Sequence, residues 1–231
     1  MHRRPGEVET QHSRALCCLS IMYVQNPVSL FFPTHMTTDF TPPPPIETHP
    51  FPPFLPHGAK VLIMGTFPPK PVRWSMDFYY PNKTNDFWKV MGIIFYGDAT
   101  RFRDSATGGF RRDEIERFLT DKGIALHDTG REVRRLRDNA SDKYLEIVTP
   151  VPLASLLAEI PLCHTIATTG EKAAGIIATL TGTEVPAMGK SVVSGDGLTI
   201  WRMPSTSRAY PLAPEKKAEY YAGLFRSVGI L

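Results

Sequence analysis

Cysteine is scarce in this chain. Only Cys17, Cys18 and Cys163 occur, without CxxC spacing, which argues against a disulfide framework, a zinc site or a cysteine-ligated iron–sulfur cluster. A reducing cytoplasm is the expected compartment. No apolar run reaches the length of a bilayer span, so no membrane association is expected. The opening "MHRRPGEVETQHSRALCCLSIMYV" pairs basic residues with a short apolar patch, but Glu7 and Glu9 interrupt it and no small-residue cleavage site stands out. It does not read as a secretory signal. A strong net charge is missing as well: 26 Lys and Arg face 23 Asp and Glu, a balance that permits nucleic acid without selecting it. Phosphate loops of the GxGxxG and GxxxxGK[ST] kinds are absent, and no GxSxG elbow surrounds Ser205 or Ser207.

Proline, by contrast, is plentiful at the start. Residues 1–57 lack periodicity and end in "FTPPPPIETHPFPPFLPHG". Proline fixes φ and donates no backbone hydrogen bond, so this stretch is expected to be a largely disordered extension. Phe51, Phe54 and Leu55 offer its last part a way to pack onto the domain that follows. Met22 and Met36 are alternative starts, which leaves open whether the first 35 residues belong to the native protein.

Residues 58–231 alternate strand and helix patterns. "KVLIMG" is a continuous apolar run closed by glycine, as in a buried parallel strand. Phe87, Val90, Met91, Ile94 and Phe95 follow at the spacing of one helical face, and Ile115, Phe118 and Leu119 mark a second helix stopped by Gly123. "IALHD", "HTIATTG" and "LTIWRMP" read as further strands, with helices at "PLASLLAEIP", "EKAAGIIATL" and "PEKKAEYYAGLFRSVG". The expected fold is a three-layer α/β/α sandwich around a mostly parallel sheet of about four strands. Ligands of such sheets sit outside the carboxyl ends of the strands. That places "GTFPP", "TTGEK" and "MPSTSRAY" on one edge, although they are more than a hundred residues apart.

Each of these segments has a plain structural reading beside a functional one. Gly170 suits a strand-to-helix turn, and the amides behind it, with Lys172, could hold a backbone phosphate. Asp128 ends a strand on the ligand edge, where it serves a polar role or caps a turn. His164 opens a strand and reads as an edge residue. In "FYYPNKTNDFW", proline holds Tyr79 and Tyr80 on a loop over the edge, a platform on which a flat ligand can stack. Asn82 and Asn85 carry neutral amides able to read a base edge or hold water. Asn85 also stands where a helix N-cap belongs, and spacing alone favours the cap. Pro204, Ser205, Thr206, Ser207 and Arg208 could grip phosphate oxygens or form a polar surface turn.

Together, "MGTFPP", "FYYPNKTNDFWKVMG" and "MPSTSRAY" resemble the uracil-DNA glycosylase superfamily, most of all its hypoxanthine (deoxyinosine) and mismatch-specific branches. The similarity covers most of residues 58–228. It implies a monofunctional, metal-independent DNA glycosylase of base excision repair, without cofactor and monomeric, whose partner is damaged duplex or single-stranded DNA. By the same resemblance Asn85 is catalytic, and Gly65, Thr66, Phe67, Pro68, Tyr79, Tyr80 and Asn82 form the base pocket. Gly170, Lys172 and Pro204 to Arg208 contact DNA. The chain departs from the wider superfamily at Thr66-Phe67, where an Asp or Asn usually positions water. A non-catalytic DNA-binding relative is therefore the alternative, and an enzyme of free nucleosides a third reading. Hypoxanthine, uracil, thymine and xanthine are not ranked by the sequence.

Overall fold

A computed structural model describes residues 42–137 and 142–231. Cys17, Cys18, the two alternative starts and residues 1–41 of the expected extension lie outside the described residues. In chain order, the elements are β1 (Ile46–Thr48), β2 (Val61–Gly65), α1 (Phe87–Tyr96), α2 (Arg112–Lys122), β3 (Ile124–Asp128), β4 (Gly130–Arg135), β5 (Leu145–Pro150), α3 (Leu153–Glu159), β6 (Thr165–Thr169), α4 (Glu171–Thr181), β7 (Ser191–Val193), β8 (Thr199–Met203) and α5 (Pro214–Ser227).

The main sheet runs β3-β2-β6-β8-β7. All its pairings are parallel except that of the short edge strand β7, which is antiparallel to β8. Five strands thus replace the expected four. β7 has only three residues, two of them exposed, too short and too polar to show as a periodic run.

Alternation along β2 builds the two interiors. Val61 and Ile63 join Leu126, Ala167 and Met203 under α1, α2 and α5. Leu62 and Met64 point the other way, with Ala125, Ile166 and Ile200 under α3 and α4. Every β2 residue is buried, as a strand covered on both faces requires. Fully burying a Leu, Ile or Met side chain contributes roughly 1.5–3 kcal/mol, so this strand anchors both layers. The result is an α/β/α sandwich.

A second, antiparallel sheet runs β1-β4-β5. It leaves the first where β3 ends, through Thr129 and Gly130, whose amides donate to the Gly65 and Thr66 carbonyls at 2.9 and 3.0 Å. Its first strand brings the end of the proline-rich stretch into the domain. Residues 42–57 belong to the compact unit Pro42–Leu231, because Ile46–Thr48 pair with β4 and Phe54 exchanges two backbone hydrogen bonds with Leu126. Phe51 is buried in one core, with Phe54 packed against it, and Leu55 packs against the other. The arm covers the otherwise open β3 edge, a usual way to protect an edge strand.

Candidate active site

The carboxyl ends of β2, β3 and β6 bring Gly65, Asp128 and Thr169 together at the floor of a cleft of about 830 Å³. A β-carbon at Gly65 would lie 2.6 Å from Asp128 Oδ1 and 3.5 Å from both Thr169 Oγ1 and the Tyr80 hydroxyl. The close approach of that carboxylate is what demands glycine here. Asp128 is buried, and its Oδ2 accepts a hydrogen bond from His49 Nε2 at 3.0 Å. His49 comes from the arm, with 4% of its side chain exposed. Its ring meets Phe67 edge-on at 5.3 Å and stacks near Tyr79 at 5.9 Å.

The two tyrosines part company. Tyr79 is 1% exposed, buried in the core rather than lining the cleft. Its hydroxyl lies 2.9 Å from the Pro52 carbonyl and 2.7 Å from His127 Nδ1. Burial pushes the Tyr79 pKa up, and burial pushes that of His127 down to about 4 with a further contribution from neighbouring His49. Both therefore stay neutral. Tyr80 takes the left-handed conformation, φ 52°, which no other non-glycine among the described residues adopts. That turn swings its ring onto the Phe87 ring, 3.7 Å away and 10° from parallel, at the cleft wall. Such a backbone costs of order 1–3 kcal/mol and persists only where packing enforces it. Burial, helped by the Asp128 charge, raises the Tyr80 pKa and keeps its hydroxyl a donor.

Asn85 stands one residue before the N-cap of α1, which is Asp86. Its Oδ1 accepts from the Phe87 amide at 2.9 Å, an Asx turn that satisfies the first amide of the helix. A backbone N–H can only donate, so the side-chain oxygen must face it and the amide Nδ2 must face away. No protein group among the described residues takes a hydrogen bond from Nδ2, and Asn85 borders the cleft. Asn82 shapes the preceding turn: its Oδ1 accepts from the Thr84 amide and hydroxyl, both at 3.0 Å.

The next residue fastens this wall to the distant Pro-Ser-Thr-Ser loop. Asp86 donates its amide to the Thr206 carbonyl at 2.9 Å. Its carboxylate holds Lys217 of α5 at 2.9 Å and Lys89 at 3.1 Å. Lys217 is fully buried and also donates to the Ser207 carbonyl. Within the loop, Ser205 Oγ and Ser207 Oγ accept from the Ser207 and Ala209 amides, while Ser207 and Arg208 are exposed at the rim. The Arg208 side chain makes no hydrogen bond or ion pair among the described residues.

Of the residues singled out from the sequence, Gly65, Thr66, Phe67, Pro68, Tyr80, Asn82, Asn85 and Ser205 to Arg208 line this one cleft. Gly170, Lys172 and Pro204 border an adjoining hollow of about 450 Å³, which shares Asp142, Ser205 and Tyr210 with it. Tyr79 borders neither. The Lys172 ammonium donates to the carbonyls of Asp142 and Leu145. The sequence reading missed His49, Arg135, Asp142 and Lys217. Arg135 on β4 grips Glu47, the Pro68 carbonyl and the Phe67 ring, so the small sheet buttresses the Gly65–Pro68 turn. Asp142 accepts from the Thr66 hydroxyl at 3.2 Å, and burial raises its pKa. Lys217 was legible: it stands four residues before Tyr221 and seven before Leu224, on the apolar stripe of α5.

No helix among the described residues is long and apolar enough to cross a membrane. No family model and no curated protein matches the chain. Among solved structures, it is similar to the solution NMR structure of a "putative Uracil DNA glycosylase" from Methanosarcina acetivorans. The TM-score is 0.55 at 20% sequence identity, over 80% of this chain and 99% of that one. This protein has the α/β/α fold of that structure, with its cleft where such sheets bind ligands.

Proposed function

We propose that the protein is a DNA glycosylase of the hypoxanthine and mismatch-specific kind, which extrudes a deaminated base into the cleft and hydrolyses its N-glycosidic bond. The observation that carries this reading is Asn85, whose oxygen is held by the helix while its amide N–H groups are left for a ligand in the cleft that also holds Asp128. Breaking the bond sends the electron pair onto the base and leaves positive charge on the sugar. Donors fixed beforehand at the leaving base lower that barrier, since they need no reorganisation. Asn85 Nδ2 is such a donor. Non-proline amides of the Gly65–Pro68 turn are further candidates.

Tyr80, backed by Phe87, stacks on the extruded base, while Ser205, Ser207 and Arg208 at the rim hold the flanking phosphates. The fold likeness to the "putative Uracil DNA glycosylase" supports the same class. The test is a panel of duplex and single-stranded oligonucleotides carrying uracil, hypoxanthine, xanthine or a mismatched thymine, incubated with purified protein and a chelator. Release of a free base, leaving an abasic site, is expected. Salt-sensitive DNA binding with every base left in place would instead establish a non-catalytic relative.

A further inference from the structure

We infer that Asp128 is a catalytic carboxylate held by His49, and that the proline-rich arm thereby supplies part of the active site. This rests on the glycosylase reading. Asn85 alone cannot complete the reaction: water attacking the sugar cation must lose a proton, and Asn85 contributes N–H donors with its oxygen already engaged by Phe87. The proton needs an acceptor on the cleft floor.

Asp128 meets the geometry. Its Oδ2 is held by His49 at 3.0 Å, and its Oδ1 lies over the Gly65 α-carbon, where only glycine leaves room for it. The side chains of both partners are at least nine-tenths buried, so the pair is fixed before any ligand arrives. His49 is fixed in turn: its Nδ1 lies 3.2 Å from the Phe51 amide and 2.9 Å from the Phe51 carbonyl. A neutral ring accepts from the amide and a protonated ring donates to the carbonyl, so each state finds a partner. Phe67, at the position where the first motif of the wider superfamily has its water-positioning residue, packs edge-on against His49. In the step itself the C1′–N bond breaks with its electrons leaving on the base. The water oxygen bonds C1′, its proton passes to Asp128 Oδ1 and from there to solvent, and the base anion is reprotonated from solvent. Asp128 touches the reacting water; His49 is a positioning residue.

The test is single-turnover base release by the full chain with enzyme in excess, together with DNA affinity from fluorescence anisotropy and thermal unfolding. Asp128→Ala is expected to slow release by about 10²–10⁴-fold, the usual range for a positioned proton acceptor. His49→Ala should slow it by at least about tenfold with DNA affinity within about twofold, because misplacing a reacting group is costly even when binding is not. His49→Gln, which keeps a donor within reach of Oδ2, should recover most of that loss. In the Asp128→Ala background, His49→Ala should change nothing further. Independent, multiplying effects, or a rate that survives Asp128→Ala, would overturn the inference while leaving the glycosylase reading intact. A wild-type protein that releases no base would overturn both.

Discussion

Two buried carboxylates, Asp128 on the cleft floor and Asp86 behind its wall, are each paired with a basic side chain, and they are closed to different degrees. Asp86 has both oxygens occupied, one by Lys217 and one by Lys89. Asp128 has one oxygen on His49 and the other against bare glycine at the ligand edge. A saturated pair can only hold parts together, and this one ties the N-terminus of α1 to the Ser207 loop. A half-saturated pair keeps an acceptor for something that is not protein. Burial is alike in the two, so what separates structure from chemistry is the coordination left open.

Breaking the closed pair should give the largest change in stability. Lys217→Met leaves Asp86 with only Lys89, its more exposed partner, and is expected to cost about 3 kcal/mol, the low end of the range for breaking a buried pair. Adding Asp86→Asn should restore most of the loss. Denaturant titrations check both, and base release per folded molecule should fall far less than in His49→Ala. A similar stability loss in His49→Ala, with no separate loss of rate, would erase the distinction between the two pairs.

The second experiment separates the roles of Asn85, which belongs to both regions at once. Asn85→Asp keeps the oxygen that bonds the Phe87 amide but replaces the amide donor by a carboxylate. Because Asp forms an Asx turn as Asn does, stability should stay within about 0.5 kcal/mol. Release should nevertheless fall about 10²–10³-fold, as when one preorganised donor is lost. Asn85→Ala removes both functions and should cost about 1 kcal/mol of stability besides.

His127 supplies a closed counterpart to His49, whose ring centre is 4.8 Å away. Its pKa is pushed from 6.5 to about 4 in the folded protein. Between those values the unfolded chain binds the extra proton and the folded one does not. Stability is therefore full above pH 6.5, declines as pH falls, and levels off below about 4. The shift corresponds to a loss of about 3 kcal/mol at most. In His127→Gln, thermal unfolding across that interval should lose this component of its pH dependence. An unchanged pH profile in that variant would place the acid sensitivity elsewhere.

Much of the sandwich was legible because β2 reads as an unbroken apolar run, and "IALHD" and "TIATT", also buried throughout, stand as short segments between helical patterns. The small sheet was not. In β4 only Gly130 and Val133 are buried and in β5 only Leu145, among Arg and Glu, and part of that charge is cross-strand pairing such as Arg134 with Glu146. β1 was hidden by its surroundings: prolines flank "IETH", but those four residues keep their amides, enough for a short ladder on β4. At the site, strand ends and the positions of Asn85 and Tyr80 could be read locally. The Asp128–His49 contact spans 79 residues and depends on the path of the arm, which no local pattern encodes. Tyr79 and Tyr80 show the same limit, since only the backbone turn at Tyr80 decides which ring enters the core.

The smallest effect expected is the most direct probe of the open pair. Gly65 has no left-handed φ to forbid a side chain, so Gly65→Ala is permitted by its backbone and opposed only by its neighbour. The new methyl would sit 2.6 Å from Asp128 Oδ1, closer than a β-carbon and an oxygen can remain. Moving the β2 backbone would disturb both cores, whereas turning the carboxylate disturbs only its hydrogen bond to His49. The carboxylate should yield. Folding should therefore change little, while release slows about tenfold, a modest case of a reacting group displaced by a fraction of an ångström. Gly65→Ala in the Asp128→Ala background should then be silent, because the atom it collides with is gone. If the methyl still slows the double variant, it blocks the base itself, and Gly65 belongs to the base pocket rather than to the support of Asp128.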